Sequence, residues 1–256
     1  MTHSPGRMQG KVVLVIGAGS VGPGWGNGRA IAKGLAHAGA KVIVTDIHVG
    51  NAQAVAQEIS QSGGQAWAFE LDVTSEVACK QLAEKVEKQI GLIDVLVNNA
   101  GITKDARLVN MTEQQFDAVI DVNLKGVFNC TQAVAPHMLK AGKGSIVSAS
   151  SVVGLYGNFG QTNYAATKFG VIGFTMTWAR ELGPKGVRVN AVCPGFIETS
   201  ILSTIPDDVL NGMKERSWLR RLGQPEEMAN VYLFLASDES SYINGVALEA
   251  SGGISL

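Results

Sequence analysis

Three features of this 256-residue chain predict a doubly wound α/β fold. Short runs rich in Val, Ile and Leu alternate with longer helical patterns along the whole length. Those runs do not alternate cleanly with polar residues, which is how strands of a parallel sheet covered on both faces read. The first of them, 11–16 (KVVLVI), passes through a glycine-rich turn at 17–28 (GAGSVGPGWGNG) into a helical stretch at 29–38 (RAIAKGLAHA). The expected architecture is one sheet of about seven parallel strands with helices on both faces and a ligand crevice at its switch point.

Further strand candidates lie at 41–45, 65–71, 93–97, 145–148, 187–192 and 246–249. Helix candidates fill the gaps at 51–62, 76–89, 113–139, 164–182 and 226–236. No linker or repeat divides them, so 10–256 reads as a single Rossmann-type domain behind a short polar tail at 1–9 (MTHSPGRMQ). A net charge of −1 gives no electrostatic case for nucleic acid or an anionic membrane surface. No apolar run nears the roughly 20 residues of a membrane helix, and the N-terminus lacks a secretory h-region. Cys79, Cys130 and Cys193 are odd in number and spread along the sequence, which predicts reduced thiols in a cytoplasmic protein. The four histidines are scattered too, and no metal site is expected.

Glycine admits positive φ and lets backbone approach a ligand closely. A helix start behind such a turn offers free N–H groups to a pyrophosphate. Gly17, Gly19, Ser20, Gly26, Asn27 and Gly28 are therefore candidate cofactor residues. Asp46, with Ile47 after it, closes the second strand, where a carboxylate can accept from both adenosine ribose hydroxyls and repel a 2′-phosphate. No Lys or Arg lies between Gly17 and Gly28 to offset that repulsion, so NAD(H) is favoured, with NADP(H) open. Asp72 and Val73 are placed for the adenine edge, although Asp before Val-Thr-Ser is also a good turn residue. Asn98, Ala100 and Gly101, in the NNAG after the fourth strand, would let the cofactor lie against backbone.

The stretch 144–168 (GSIVSASSVVGLYGNFGQTNYAATK) carries the chemistry. Tyr164 and Lys168 are four apart and share one helical face. A phenol with its reference pKa of about 10 is a poor acid–base group near neutrality, and an adjacent ammonium is expected to lower it. Ser151, at the end of the preceding strand, can hydrogen-bond a developing alkoxide.

These motifs resemble the short-chain dehydrogenase/reductase family from about residue 11 to the C-terminus. The resemblance rests on the glycine turn, on Asn98 to Gly101, and on Ser151, YAATK at 164–168 and Pro194-Gly195. It implies that Tyr164 is the general acid/base, that Lys168 holds the nicotinamide ribose and tunes the tyrosine, and that Ser151 orients the substrate oxygen. Asn123 matches the asparagine of the family's proton relay. Of the serines at 148, 150 and 151, the family's spacing of thirteen residues before the tyrosine selects Ser151. Pro194, Gly195, Ile197 and Thr199 would meet the nicotinamide. The chain departs from the family at Ile16, where threonine is usual, and in a five-residue insertion at 21–25 (VGPGW). A lengthened glycine loop is also found in the related enoyl reductases, but those place six residues between tyrosine and lysine, against three here.

Within the family, 98–104 (NNAGITK), 150–164 and 194–199 are nearest to the 3-oxoacyl-[acyl-carrier-protein] reductases and acetoacetyl-CoA reductases. Those carrier-protein reductases present basic residues beside the active-site mouth, and Lys143 and Lys185 lie near the corresponding places. Most of them prefer NADPH, which Asp46 opposes. The resemblance also implies a homotetramer and a substrate lid around 200–222, with Ile201, Leu202, Ile205, Leu210, Met213, Trp218 and Leu219 as its apolar side. The expected function is interconversion of a ketone and a secondary alcohol, on a 3-oxoacyl thioester or small β-keto compound. A catabolic NAD-linked dehydrogenase of a polyol, hydroxy acid or hydroxysteroid is the alternative, and a non-catalytic cofactor sensor is a third reading. Asn123, Ser151, Tyr164 and Lys168, all present together, weigh against the sensor.

Overall fold

Seven strands, Val12–Ile16 (β1), Lys41–Asp46 (β2), Gln65–Glu70 (β3), Val95–Asn98 (β4), Gly144–Ala149 (β5), Val187–Pro194 (β6) and Ala247–Ala250 (β7), form one parallel sheet. Their order is β3-β2-β1-β4-β5-β6-β7. The computed structural model describes residues 6–19, 26–199 and 206–254. Strand order reverses between β1 and β4, and the connections leaving their carboxyl ends diverge there to leave a crevice.

Between the strands lie helices Asn27–His37 (α1), Val49–Gln61 (α2), Glu76–Gln89 (α3), Glu113–Ile120 (α4), Gly126–Ala141 (α5), Val152–Tyr156 (α6), Thr162–Leu182 (α7), Asp207–Arg216 (α8) and Pro225–Ala236 (α9). Strand pleating divides the core between them. Val13 and Val15 of β1 pack with Ile31 and Leu35 of α1, Val55 of α2 and Leu233 of α9. Val12, Leu14 and Ile16 face the other way, with Leu82 of α3, Val134 and Met138 of α5 and Ala179 of α7. Both faces of β1 are thus dry. Each fully buried Val, Leu or Ile contributes roughly 1.5–3 kcal/mol of transfer free energy.

Several expectations are corrected. Burial on both faces fails for β3, whose exposure alternates, and for half-buried β7; as edge strands they have a neighbour on one side only. The polar tail is already docked from residue 6 onward. Met8 is fully buried in the α1-side core, and its N–H donates to the Ala38 carbonyl at 2.9 Å. The single helix expected over 113–139 is interrupted by a π-helical turn, Asp121–Lys125, whose closing bond runs from Gly126 N–H back to the Asp121 carbonyl. On either side of this turn, α4 packs on α7 and α5 packs on α3. There Cys79 and Cys130, distant in sequence, bring their Sγ atoms to 3.7 Å, and all three cysteines are free thiols.

Candidate active site

A cleft of about 680 Å³ opens along the carboxyl ends of the strands, the size of a dinucleotide site. Of the residues expected from sequence, Gly17, Gly19, Gly26, Asn27, Gly28, Asp46, Ile47, Asp72, Val73, Ala100, Gly101, Ser151, Tyr164, Lys168, Pro194, Gly195, Ile197 and Thr199 all line it. Ser20 and the insertion at 21–25 lie outside the described residues, as do 200–205 of the lid.

The glycine turn is built by close approach. Gly17 has φ +71°, and a Cβ there would stand 2.5 Å from the Ala100 Cα. A Cβ on Gly28 would stand 2.2 Å from the Gly17 carbonyl oxygen, and one on Gly19 2.4 Å from Asp46 Oδ2. Any side chain at these three positions collides, so only glycine brings β1, α1 and β2 together here. No side chain caps α1 at Gly26, and no acid stands in its first turn. The helix therefore presents the positive end of its dipole to the cleft, and the donor set fits a dinucleotide diphosphate. At the β2 end of the cleft, Asp46 Oδ1 accepts the His48 N–H at 2.9 Å while Oδ2 faces the glycine turn. Among the described lining residues, Lys168 is the only Lys or Arg. Arg29 and Lys33 on α1 are paired instead with Glu58 of α2.

At the opposite end the three serines separate by their partners. Ser148 Oγ accepts from Asn98 Nδ2 at 3.2 Å, and Ser150 Oγ donates to the Lys168 carbonyl at 2.7 Å. Ser151 caps α6, accepting from Val153 N–H at 3.1 Å, and its hydroxyl stands beside the Tyr164 phenol, where it favours the phenolate. Lys168 is 4% exposed; its Nζ donates to the Ala149 carbonyl at 2.7 Å and sits 5.4 Å from the Tyr164 ring centroid. Burial pulls the Lys168 pKa down to about 8. For Tyr164 the expected direction is reversed. Burial pushes the phenol up, the Ser151 hydroxyl opposes this, and the Asp105 carboxylate adds to the rise. The Ser151 hydrogen bond does not overcome the loss of water around the phenol.

Two expected residues do not line the cleft. Asn98, 2% exposed, turns beneath it and donates to Thr131 Oγ1 at 3.1 Å as well as to Ser148. Pleating brings its neighbour Asn99 to the surface instead, where Nδ2 donates to the Gly17 carbonyl at 2.8 Å and braces the glycine turn. Asn123, fully buried in the π-helical turn, spends its amide on Ile102, accepting its N–H at 2.8 Å and donating to its carbonyl at 2.9 Å. Gly101 lies between this amide and the lysine: a Cβ there would be 3.4 Å from Asn123 Oδ1 and 3.7 Å from Lys168 Nζ.

Lys143 and Lys185 are not at the mouth of this chain's cleft. They precede β5 and β6, at the amino ends of strands whose carboxyl ends form the cleft, and Lys143 pairs with Asp94 at 2.9 Å. In the described part of the lid, Trp218 and Leu219 are exposed to solvent and, like Leu210 and Met213, do not line the cleft. Sequence reasoning also missed His48, Asn99, Ile102, Thr103 and Tyr232, which do line it.

A family model described as Enoyl-(Acyl carrier protein) reductase matches residues 23–255. The 3-oxoacyl-[acyl-carrier-protein] reductase FabG of Thermotoga maritima is 52% identical over 248 residues, covering 97% of this chain and 99% of its own. Proteins of the same description from Staphylococcus epidermidis and Aquifex aeolicus are 46% and 45% identical, covering 95% and 97% of this chain and 98% of each relative.

Proposed function

The chain belongs to the short-chain dehydrogenase/reductase family, an oxidoreductase acting between ketone and alcohol, and from that premise we propose that it reduces 3-oxoacyl thioesters with a preference for NADH. The observation that carries the reaction is Ser151, Tyr164 and Lys168 converging at one end of a dinucleotide-sized cleft. Three residues between Tyr164 and Lys168, not the six of enoyl reductases, keep the chemistry with carbonyls.

Bound in this cleft, a nicotinamide dinucleotide would supply the hydride. Ser151 donates a hydrogen bond to the substrate carbonyl oxygen, where negative charge grows in the transition state. Tyr164, held protonated at neutral pH by its burial, delivers the proton to that oxygen. Lys168, fixed on the Ala149 carbonyl, keeps its remaining donors for the nicotinamide ribose and a positive charge near the forming phenolate. Asn123 holds Ile102, the residue after Gly101, in place through both its backbone groups.

The NADH preference rests on Asp46. Its carboxylate lines the cleft beside the glycine turn, and among the described lining residues no Lys or Arg other than Lys168 accompanies it that could receive a 2′-phosphate. The relatives' names supply the carrier-protein thioester as substrate class. The lid assignment for 200–222 is supported by its neck, where Glu198 N–H donates to the Gly223 carbonyl and Gly223 N–H to the Phe196 carbonyl. Exposed Phe128 on α5 with Phe169 and Met176 on α7 supports assembly into a tetramer.

Steady-state oxidation of NADH and NADPH with acetoacetyl-CoA tests the reading. Turnover with NADH preferred is the expected result. An NADH preference with the thioester ignored would move the substrate to a catabolic alcohol, and an NADPH preference would overturn the Asp46 argument.

A further inference from the structure

Tyr232 is a cleft residue whose hydroxyl the fold does not use. It lies on α9, which packs along α1, and its ring belongs to the core that also contains Ala149 of β5 and Val192 of β6. The residue is 1% exposed, yet it lines the cleft. No hydrogen bond to its hydroxyl exists among the described residues, and the oxygen is not among the sealed, partnerless polar atoms, which are Arg7 Nε, Asn27 Oδ1, Asn98 Oδ1 and Ser217 Oγ. The sliver of surface that Tyr232 keeps is therefore its oxygen, open to the cleft. A phenol held this way is unfavourable unless an acceptor arrives with a ligand.

The position along the cleft follows from its neighbours. Burial pushes the phenol far up, and charge on Cys193 or Tyr164 would push it further, so the hydroxyl stands toward the catalytic end and remains a donor. The helix it packs against, α1, opens at Gly26 with no side-chain cap. Gly26 at that helix start and the Pro194-Gly195 turn line the same cleft as Tyr232. We propose that Tyr232 is a cofactor-binding residue, its hydroxyl donating a hydrogen bond to the nicotinamide-side phosphate of a bound dinucleotide. This rests on the reading of the cleft as a dinucleotide site. On α9 the residue looks like any core position between Met228 and Leu235, which is why periodicity alone passes over it.

The test is Tyr232→Phe in the full chain, which removes the oxygen and keeps the ring. Dissociation constants for NADH, ADP-ribose and AMP are measured by calorimetry, with thermal unfolding in the absence of ligand. ADP-ribose carries both phosphates, AMP only the adenosine-side one. The expected result is about tenfold weaker binding of NADH and ADP-ribose, as for loss of one hydrogen bond to a charged group. AMP binding changes less than about twofold on the same argument. Without ligand, Tyr232→Phe melts at the parent temperature or above it, because no internal partner is lost. Unchanged ADP-ribose affinity, an equal loss for AMP, or a lower melting temperature without ligand would each overturn the assignment. A parent protein that binds neither NADH nor ADP-ribose would overturn the dinucleotide reading itself, and this inference with it.

Discussion

At one end of the cleft Lys168 is 4% exposed and bonded to a main-chain carbonyl; at the other, Ile47 is 56% exposed and Asp72 faces water. The catalytic end is dry and cross-braced, with Ser150 tied to α7 and Asn123 tied to Ile102. The adenosine end is held by short local turns: Asp72 accepts from Thr74 N–H and Oγ1, and Asp46 from His48 N–H. Desolvation gives the first end its shifted acid and base, and the same burial makes each group there depend on its neighbours. The second end keeps its water, so under the proposed NADH preference a single carboxylate sets cofactor choice there without disturbing the rest.

The sharpest break comes from Tyr164→Phe. We expect kcat to fall by roughly 10³-fold, within the range for loss of a positioned acid. Affinity for NADH should move less than about threefold, because the phenol serves the reacting oxygen rather than the dinucleotide. Single-turnover kinetics beside a fluorescence titration separate the two, and a parallel collapse of both would erase the division.

Lys168→Met comes next, read as stability. With its pKa at about 8 in the fold against 10.5 unfolded, the lysine opposes folding by about 3 kcal/mol at pH 7, of which the lost bond to Ala149 returns about 1. The substitution should stabilise the ligand-free protein by about 2 kcal/mol at pH 7. Below pH 8 both states are charged and the penalty is complete. Between pH 8 and 10.5 the folded chain has released a proton that the unfolded chain still holds, so the parent gains stability as pH rises and the advantage of methionine fades. Urea titrations at pH 7 and pH 10 check both statements.

At the wet end the effects shrink. Asp46→Ala should shift the ratio of kcat/KM values about tenfold toward NADPH, as removal of one like charge beside the 2′-phosphate allows. A ratio that stays put would mean cofactor choice is made elsewhere. Ile47→Ala, which trims an exposed side chain, should weaken NADH by about threefold or less and leave kcat unaltered.

Local rules made most of this visible in sequence. The succession of strands and helices follows from apolar runs, the glycine turn from its composition and setting, and the Tyr164–Lys168 pair from helical spacing, whereas Ser151 is singled out from its neighbouring serines only by the family resemblance. What stayed hidden depends on quantities that spacing does not encode. Whether Asn98 or Asn99 faces the cleft is a matter of pleat parity at the last residue of β4. The direction of the Tyr164 shift is a contest between the Ser151 hydrogen bond and burial, and only three-dimensional packing shows that burial is larger. Lys143 and Lys185 are adjacent to the right strands but at their wrong ends. Tyr232 and Met8 are apolar-pattern positions until one sees what they touch.

The π-helical turn at Asp121–Lys125 also works as a frame shift in three dimensions. A regular α-helix through this stretch would close each bond over four residues, whereas Gly126 reaches back five. One residue is therefore surplus to the helical count. Deleting it would let α4 and α5 join as one uninterrupted rod while each keeps its own phase against its neighbours. What would vanish is the bulge that carries Asn123, and with it the amide that grips Ile102 on both sides. The surplus residue is a splice: it adds a buried, doubly bonded amide to a long helix without rewriting the packing on either flank.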